Sequence, residues 1–107
     1  LDESTEKMIG ARELSLMKKG SYLLNTARGA IVDEDALLEA LESGVLKSAA
    51  LDVVTGEQGK MLSDHKIVRY SMDNDNLILS PHVAGLAYEA QLKAAQFAVN
   101  RLNEFNL

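Results

Sequence analysis

Short apolar runs alternate along the chain with segments in which apolar residues recur every three or four positions. Strands are predicted at 21–25, 48–54 and 77–80. Helices are predicted over 11–19, from the acidic residues at 33–35 to the glycine at 44, and over 86–105. Helices that alternate with short strands favour a parallel α/β sheet with right-handed crossovers.

Local signals refine these boundaries. Lys18 and Lys19 suit the last turn of the first helix, and Gly20 suits a left-handed cap behind it. Asp33 and the two acids after it suit the start of the second helix, because carboxylates complement the helix dipole there. Small residues in the second strand predict a central strand crowded on both faces. The predicted apolar helix faces are Leu14 and Met17, then Leu37, Leu38 and Leu41, then Leu92, Ala95, Val99 and Leu102.

Two segments carry weaker signals. Residues 1–10 are polar and are expected to be irregular. The stretch 55–76 is longer than most loops, which leaves two interpretations open. It is either a functional loop or a segment with a local helix around 65–70.

A charged or titratable side chain stands at the end of each predicted strand. Arg28 follows the first strand, Asp52 and Glu57 stand at the end of the second, and His82 follows the third. Ligands of parallel sheets bind at the carboxyl ends of the strands, so these groups are expected to converge. An arginine pairs a carboxylate through two hydrogen bonds, and a carboxylate beside a histidine stabilises the protonated imidazole. Such a set could bind and reduce a small oxo acid.

Each of these residues alone is more often an ordinary surface group. Arg28 would be a solvated turn residue, His82 a hydrogen-bonded loop histidine, and the acids plain surface acids. Their shared position at strand ends favours a site. The pattern by itself still leaves a piece of an enzyme and a plain α/β domain both open.

Length and composition exclude several classes. The chain has 107 residues, which suits one domain, and a formal net charge of 11 − 16 = −5, which argues against a nucleic-acid binder. It has no run of 18 apolar residues to cross a membrane, and its N-terminus has no apolar signal-peptide core. The absence of cysteine excludes disulfides, thiolate metal sites and cysteine catalysis, and fits a cytoplasmic location.

Four motifs occur in a specific order and spacing. They are Asn25-Thr26-Ala27-Arg28-Gly29, Val32-Asp33-Glu34, Ala49-Ala50-Leu51-Asp52-Val53 and Ser80-Pro81-His82. This series resembles the NAD-dependent D-isomer-specific 2-hydroxyacid dehydrogenases, which include D-3-phosphoglycerate, glyoxylate/hydroxypyruvate and D-lactate dehydrogenases. The resemblance runs from Leu1 to about Phe105, and the 55–76 loop resembles the phosphoglycerate dehydrogenase-like branch more than the D-lactate branch. It implies a partial Rossmann-like parallel sheet flanked by helices, with 1–107 as the C-terminal half of a dinucleotide-binding domain.

The resemblance also implies hydride transfer between NAD(H) and a small D-2-hydroxy acid or 2-oxo acid. Arg28 would grip the substrate carboxylate and polarise the oxo group. His82 would be the general acid in reduction and the base in the reverse direction, and Glu57 would hydrogen-bond it and stabilise its protonated form. Asp52 would hold the nicotinamide carboxamide. The coenzyme-binding residues implied are Thr26, Ala27, Arg28, Asp52, His82, Val83, Ala84 and Gly85.

The chain also departs from the family. Val54 stands where an aromatic is usual, and the prolines usual around Glu57 are absent, but the acid is in place. Glu57 argues against formate dehydrogenase, which has Gln there. No Gly-x-Gly-x-x-Gly occurs, and the family's substrate domain lies outside the matched part. We therefore expect a fragment that is inactive alone, exposes apolar surface, associates with itself and has a sticky strand edge at 49–51.

The alternative is a non-catalytic α/β fragment or binding module that keeps the dehydrogenase fold, as the C-terminal-binding corepressors of this family do. The presence of Arg28, Glu57 and His82 favours catalytic ancestry. The residues leave open which 2-hydroxy acid is the substrate and whether the coenzyme is NAD or NADP.

Overall fold

The computed structural model describes residues 1–58 and 62–104, and a parallel sheet lies at its centre. The strands, in the spatial order β1-β2-β3, are β1 (Ser21–Asn25), β2 (Leu46–Leu51) and β3 (Leu77–Leu79). The α-helices are α1 (Ala11–Ser15), α2 (Glu34–Glu42), α3 (Lys66–Asp73) and α4 (Tyr88–Glu104). Single 3₁₀ turns occupy Gly29–Ile31 and Leu62–Asp64. The predicted α/β class with a parallel sheet is confirmed.

The core lies between one face of the sheet and helices α1, α2 and α3. Its fully buried large side chains are Leu14, Leu37, Leu46 and Ile67. Met17 and Leu38 pack against this cluster from its margin. Burial of each leucine contributes about 1.5–3 kcal/mol, so the predicted apolar sides of the first two helices hold these helices on the sheet.

The opposite face of the sheet is open. Tyr22, Leu24 and Ile78 alternate with core residues along their strands and are more than half exposed. β2 is central as predicted, but the prediction that it is crowded on both faces is wrong, since no described element covers this second face. Helix α4 also has no buried residue. Within the described residues, 1–58 and 62–104, its predicted apolar face is therefore not covered by another element. The expected exposure of apolar surface is confirmed.

The sticky edge predicted at 49–51 is wrong. Ala49 pairs with Leu23 of β1 on one side and with Leu77 of β3 on the other. Both hydrogen-bonding sides of β2 are therefore occupied, and the edges of the described sheet belong to β1 and β3. The expectation failed because it assumed a missing neighbour, whereas β1 and β3 supply both neighbours of β2.

The second strand begins and ends earlier than the predicted 48–54. It pairs with β1 from Leu46 onward, and the last ladder bond runs from the Asp52 N–H to the carbonyl of Asn25 at 2.9 Å. Beyond Asn25 the first strand turns away, so Val53 and Val54 have no partner strand within 1–58 and 62–104. They continue as irregular chain, with Val53 buried and Val54 half-buried.

The helix boundaries also differ in detail. α1 ends at Ser15 rather than at 19. The Leu16 N–H donates to the carbonyls of both Arg12 and Glu13, and this shared hydrogen bond tightens the last turn. Gly20 has the predicted left-handed backbone, with φ +82°, but it leads into β1 instead of capping α1. The local helix around 65–70 is confirmed as α3. α4 begins two residues after the predicted 86, and the predicted end at Phe105 lies outside the described residues.

The 1–10 segment is largely turns, as expected, apart from a bridge between Ile9 and Val32. In the described ranges, no helix has the length and apolarity needed to cross a bilayer.

Candidate active site

The turn after β1 is organised by the buried side chain of Asn25. Its Oδ1 accepts from the Ala27 N–H at 3.0 Å, and its Nδ2 donates to the Arg28 carbonyl at 2.9 Å. This Asx turn holds the backbone of Arg28 in place. The Arg28 side chain is exposed and donates from Nη1 to the Ala27 carbonyl at 2.7 Å. A guanidinium has five N–H donors, so most of the fork is available to a ligand.

Gly29 brings this turn into direct contact with the loop after β2. A Cβ built on Gly29 would lie 2.1 Å from the carbonyl carbon of Val54 and 2.4 Å from the Thr55 nitrogen. Any side chain at this position would therefore push the two segments apart. Glycine lets the Arg28 turn and the loop that carries Glu57 pack backbone against backbone.

Asp52, just past β2, organises the turn after β3. Its Oδ1 accepts from the Ser80 hydroxyl at 2.6 Å and the Val83 N–H at 3.0 Å, and its Oδ2 accepts from the Ala84 N–H at 2.9 Å. The Ser80 hydrogen bond above all, then the backbone donors and the charge of His82, lower the pKa of Asp52 below its usual value, although burial opposes them. A carboxylate offers about four acceptor positions, so one remains for a ligand.

His82 lies in the turn that Asp52 holds. Its backbone is left-handed, with φ 54°, and its N–H donates to the Ser80 carbonyl at 3.0 Å. A left-handed backbone at a non-glycine residue persists only where the surroundings impose it. Here it is imposed by the hydrogen bonds that Ser80, Val83 and Ala84 donate to the Asp52 carboxylate. The turn thereby fixes the direction in which the imidazole leaves the chain.

The imidazole of His82 pairs with Glu57 through Nδ1 and Oε1. The second carboxylate oxygen of Glu57 accepts from the Val54 N–H at 3.3 Å. An ionised carboxylate only accepts, so Nδ1 carries the proton and Nε2 is the nitrogen left for a ligand. The His82 side chain is 45% exposed and Glu57 is 23% exposed, so the acid lies behind the histidine.

One cavity of about 500 Å³ joins the three strand ends. Its lining residues are Thr26, Arg28, Asp52, His82, Gly85 and Leu86. The sequence analysis anticipated all of these residues except Leu86, which no motif marked. Glu57 borders an adjacent cavity, which shares Asp52 and His82 with the first. The other residues expected at the coenzyme, Ala27, Val83 and Ala84, do not line this cavity; their backbone N–H groups donate to Asn25 and Asp52.

Two side chains beside the site were missed. Glu34 was interpreted as a helix-start acid, yet its carboxylate is buried against the backbone of Thr55. His65 lies in the segment whose pattern is weak, and it contacts the same backbone. The available sequence signal for Glu34 was its place in the motif Val32-Asp33-Glu34. No group of three or more His, Cys, Asp or Glu side chains in the described ranges is placed to hold a metal ion.

Comparison with known proteins gives the class of this chain. Residues 1–84 match the D-isomer specific 2-hydroxyacid dehydrogenase, NAD binding domain. The chain belongs to this family, and the parallel sheet with flanking helices is the Rossmann-like arrangement of that domain.

Individual relatives agree. The chain is 39% identical over 102 residues to the glyoxylate reductase of Thermofilum pendens, covering 95% of this chain and 28% of that protein. It is 43% identical over 88 residues to the D-3-phosphoglycerate dehydrogenase of Escherichia coli, covering 82% and 21%. The D-lactate dehydrogenase of Aquifex aeolicus complexed with NAD and lactic acid superposes with a TM-score of 0.73 at 31% identity, covering 98% and 34%. The chain thus spans about a third or less of these proteins.

Proposed function

We propose that residues 1–107 are the C-terminal portion of the NAD-binding domain of an NAD-dependent D-2-hydroxyacid dehydrogenase. The reaction is hydride transfer between NAD(H) and a small 2-hydroxy or 2-oxo acid. The observation that carries this proposal is that His82, which is paired with Glu57 behind it, lines one cavity together with Arg28 and Asp52. Folding of an α/β domain does not require an arginine, a carboxylate and a histidine paired with a second carboxylate at three strand ends, whereas proton and hydride transfer to an oxo acid does.

Two side chains handle the substrate. The Arg28 fork pairs the substrate carboxylate through two hydrogen bonds and orients the oxo group beside it. In reduction, His82 donates the Nε2 proton to the oxo oxygen as that oxygen becomes a hydroxyl. Glu57 accepts from Nδ1 throughout, so it fixes the ring and stabilises the imidazolium that the reduction requires. In oxidation the same nitrogen takes the proton back.

The cavity fits the nicotinamide end of a dinucleotide. The remaining acceptor position of Asp52 suits a carboxamide N–H, and Thr26 and Gly85 border the space with little bulk. When bound, the coenzyme supplies or accepts the hydride. The pyrophosphate needs other residues, because the sequence contains no Gly-x-Gly-x-x-Gly.

We also propose that copies of the protein associate through the exposed apolar faces, as a homo-oligomer. The exposed side chains of the open sheet face and of α4 support this. A cytoplasmic location stays a prediction from the cysteine-free composition.

The test compares the 107-residue chain with the full-length dehydrogenase that the proposal implies. Oxidation of NADH is followed with glyoxylate, hydroxypyruvate and phosphohydroxypyruvate. We expect turnover with the full-length protein, loss of turnover in its His82→Gln variant, and none with the 107-residue chain, which has no phosphate loop to hold the coenzyme. Binding of NADH without turnover of any oxo acid would contradict the proposal and identify a binding module. Brisk turnover by the short chain would contradict the assignment to part of a domain.

A further inference from the structure

Glu34 is a buried acid outside the cavity. It lies in the first turn of α2 and is 7% exposed. Its Oε1 accepts from the Thr55 N–H at 2.7 Å, and its Oε2 lies 3.5 Å from Nε2 of His65. The other buried polar residues, Asn25 and Asp52, each organise a turn at a strand end. Burial of a carboxylate costs free energy unless it is hydrogen-bonded, so the role of the buried Glu34 must be sought in its hydrogen-bond partners.

His65 binds the other side of Thr55. Its Nδ1 accepts from the Ile67 N–H at 3.2 Å and so caps α3. Nδ1 therefore lacks a proton, and Nε2 carries the one that it donates to the Thr55 carbonyl at 2.9 Å. The N–H and the C=O of Thr55 are thus bound by side chains from two different helix starts. Both side chains are mostly buried, at 7% and 17% exposure.

Thr55 lies two residues before Glu57 in the irregular segment that follows β2. The Val54 N–H donates to Oε2 of Glu57, while Oε1 meets Nδ1 of His82. Gly29 closes the loop from the other side, where its Cα abuts the Val54–Thr55 peptide. The loop has no strand partner, so its position depends on these contacts. Glu34 and His65 therefore set where the Glu57 carboxylate meets the imidazole.

We propose that Glu34 and His65 are positioning residues that clamp Thr55 and thereby aim Glu57 at His82. This inference rests on the proposed function, since it concerns the same proton-transferring pair. Neither residue borders the cavity, so neither touches the substrate. Loss of the clamp should alter the protonation behaviour of His82 and the rate of proton transfer. It should leave carboxylate binding at Arg28 unchanged.

His65→Asn is the decisive variant. An asparagine still caps α3 through Oδ1, but its side chain is too short to reach the Thr55 carbonyl. Glu34→Gln is the second variant; its amide can still accept from the Thr55 N–H, yet it loses the charge beside His65. Asp35→Asn is the matched control, because Asp35 and Lys66 form the neighbouring α2–α3 ion pair at 2.6 Å and are exposed.

In the full-length dehydrogenase, we expect His65→Asn to lower kcat for oxo-acid reduction roughly 10- to 100-fold, with KM for the oxo acid nearly unchanged. The midpoint of the pH–rate profile should move toward that of Glu57→Gln. Glu34→Gln should shift both quantities in the same direction by less, and Asp35→Asn should match the wild type. A wild-type kcat and midpoint in both clamp variants would overturn the proposal, as would lower thermal stability with unchanged kinetics.

A second measurement separates this inference from the proposed function. In the 107-residue chain, proton NMR follows the His82 Nδ1–H signal and hydrogen exchange at the Thr55 amide. We expect loss of the signal and faster exchange in His65→Asn but not in Asp35→Asn. If no oxo acid is reduced by the wild type, the proposed function fails, and the NMR result alone decides the clamp. Persistence of the signal in His65→Asn would overturn it, and if that variant does not fold, the same criterion applies to Glu34→Gln.

Discussion

At the scale of single residues, Arg28 allows its proposed catalytic role to be tested apart from folding. Its side chain is exposed, so its replacement costs the fold little. In the full-length dehydrogenase, we expect Arg28→Lys to keep the charge but lose the two-pronged pairing. The kcat/KM for the oxo acid should fall roughly 10- to 100-fold, as measured by steady-state kinetics. Arg12→Lys, at an exposed arginine of α1, is the control, and an unchanged kcat/KM in Arg28→Lys would remove this residue from the site.

His82 offers a second test at this scale. We expect His82→Gln to lower kcat for reduction by roughly 10²- to 10⁴-fold, because glutamine cannot donate a proton. Binding of NADH, measured by fluorescence titration, should be nearly unchanged. A variant that retains wild-type kcat would assign the proton to another group.

Glu57 is expected to stabilise the protonated imidazole of His82, while His82 itself remains the proton donor. Glu57→Gln keeps a hydrogen-bonding amide but loses the negative charge beside Nδ1. The imidazolium is then less stable and gives up its proton at lower pH, so the rate of reduction should fall off at lower pH than in the wild type. The measurement is the pH–rate profile of both proteins across neutral pH. Two profiles with the same midpoint would show that Glu57 does not act on His82.

At the scale of elements, Asp33 holds the start of α2. Its carboxylate accepts from the N–H groups of Asp35 and Ala36 and pairs with Lys7 at 3.2 Å. The Ala36 bond first, then Lys7, lower the pKa of Asp33. A lowered folded pKa means that this stabilisation is complete above the ordinary value of about 3.9 and is lost as the pH falls through the folded value.

We therefore expect Asp33→Ala to reduce the free energy of unfolding by about 1 kcal/mol at neutral pH. The difference from the wild type should shrink as the pH falls below about 3.9. Urea titrations at several pH values measure it. Glu42→Ala, at the other end of the same helix, is the control and should be neutral or slightly stabilising, because an acid there opposes the helix dipole. An equal loss in both variants would rule out capping as the cause.

At the scale of the whole molecule, exposed apolar surface is the dominant feature. Tyr22, Leu24 and Ile78 on the open sheet face, and Leu92 and Phe97 on α4, are all more than half exposed. We expect the 107-residue chain to self-associate as its concentration rises, which sedimentation velocity would show. Leu24→Lys should weaken association, whereas Leu16→Lys, at an exposed leucine beyond α1, should change it less. A strict monomer at high concentration would contradict the expectation.

The sequence by itself predicted most of the elements and proposed the candidate site residues. Apolar periodicity and helix signals were sufficient for β1 and α2, because those signals are local and act within a few residues. For α3 they gave only one of two open interpretations. Position at the carboxyl ends of the predicted strands, together with the family motifs, marked four candidate site residues from the sequence alone: Arg28, Asp52, Glu57 and His82. The structure places Arg28, Asp52 and His82 around one cavity, with Glu57 paired behind His82. Their roles in catalysis stay predictions until the variants are measured.

The tertiary structure alone decided spatial order and burial. No local pattern shows which strands flank β2, that its end at Leu51 follows from the turning away of β1, or that α4 stays exposed. Nor does it show that Glu34 turns inward to meet His65 across 31 residues of chain. These facts depend on which distant segments meet, and that outcome reflects packing of the whole chain rather than the preferences of any one segment.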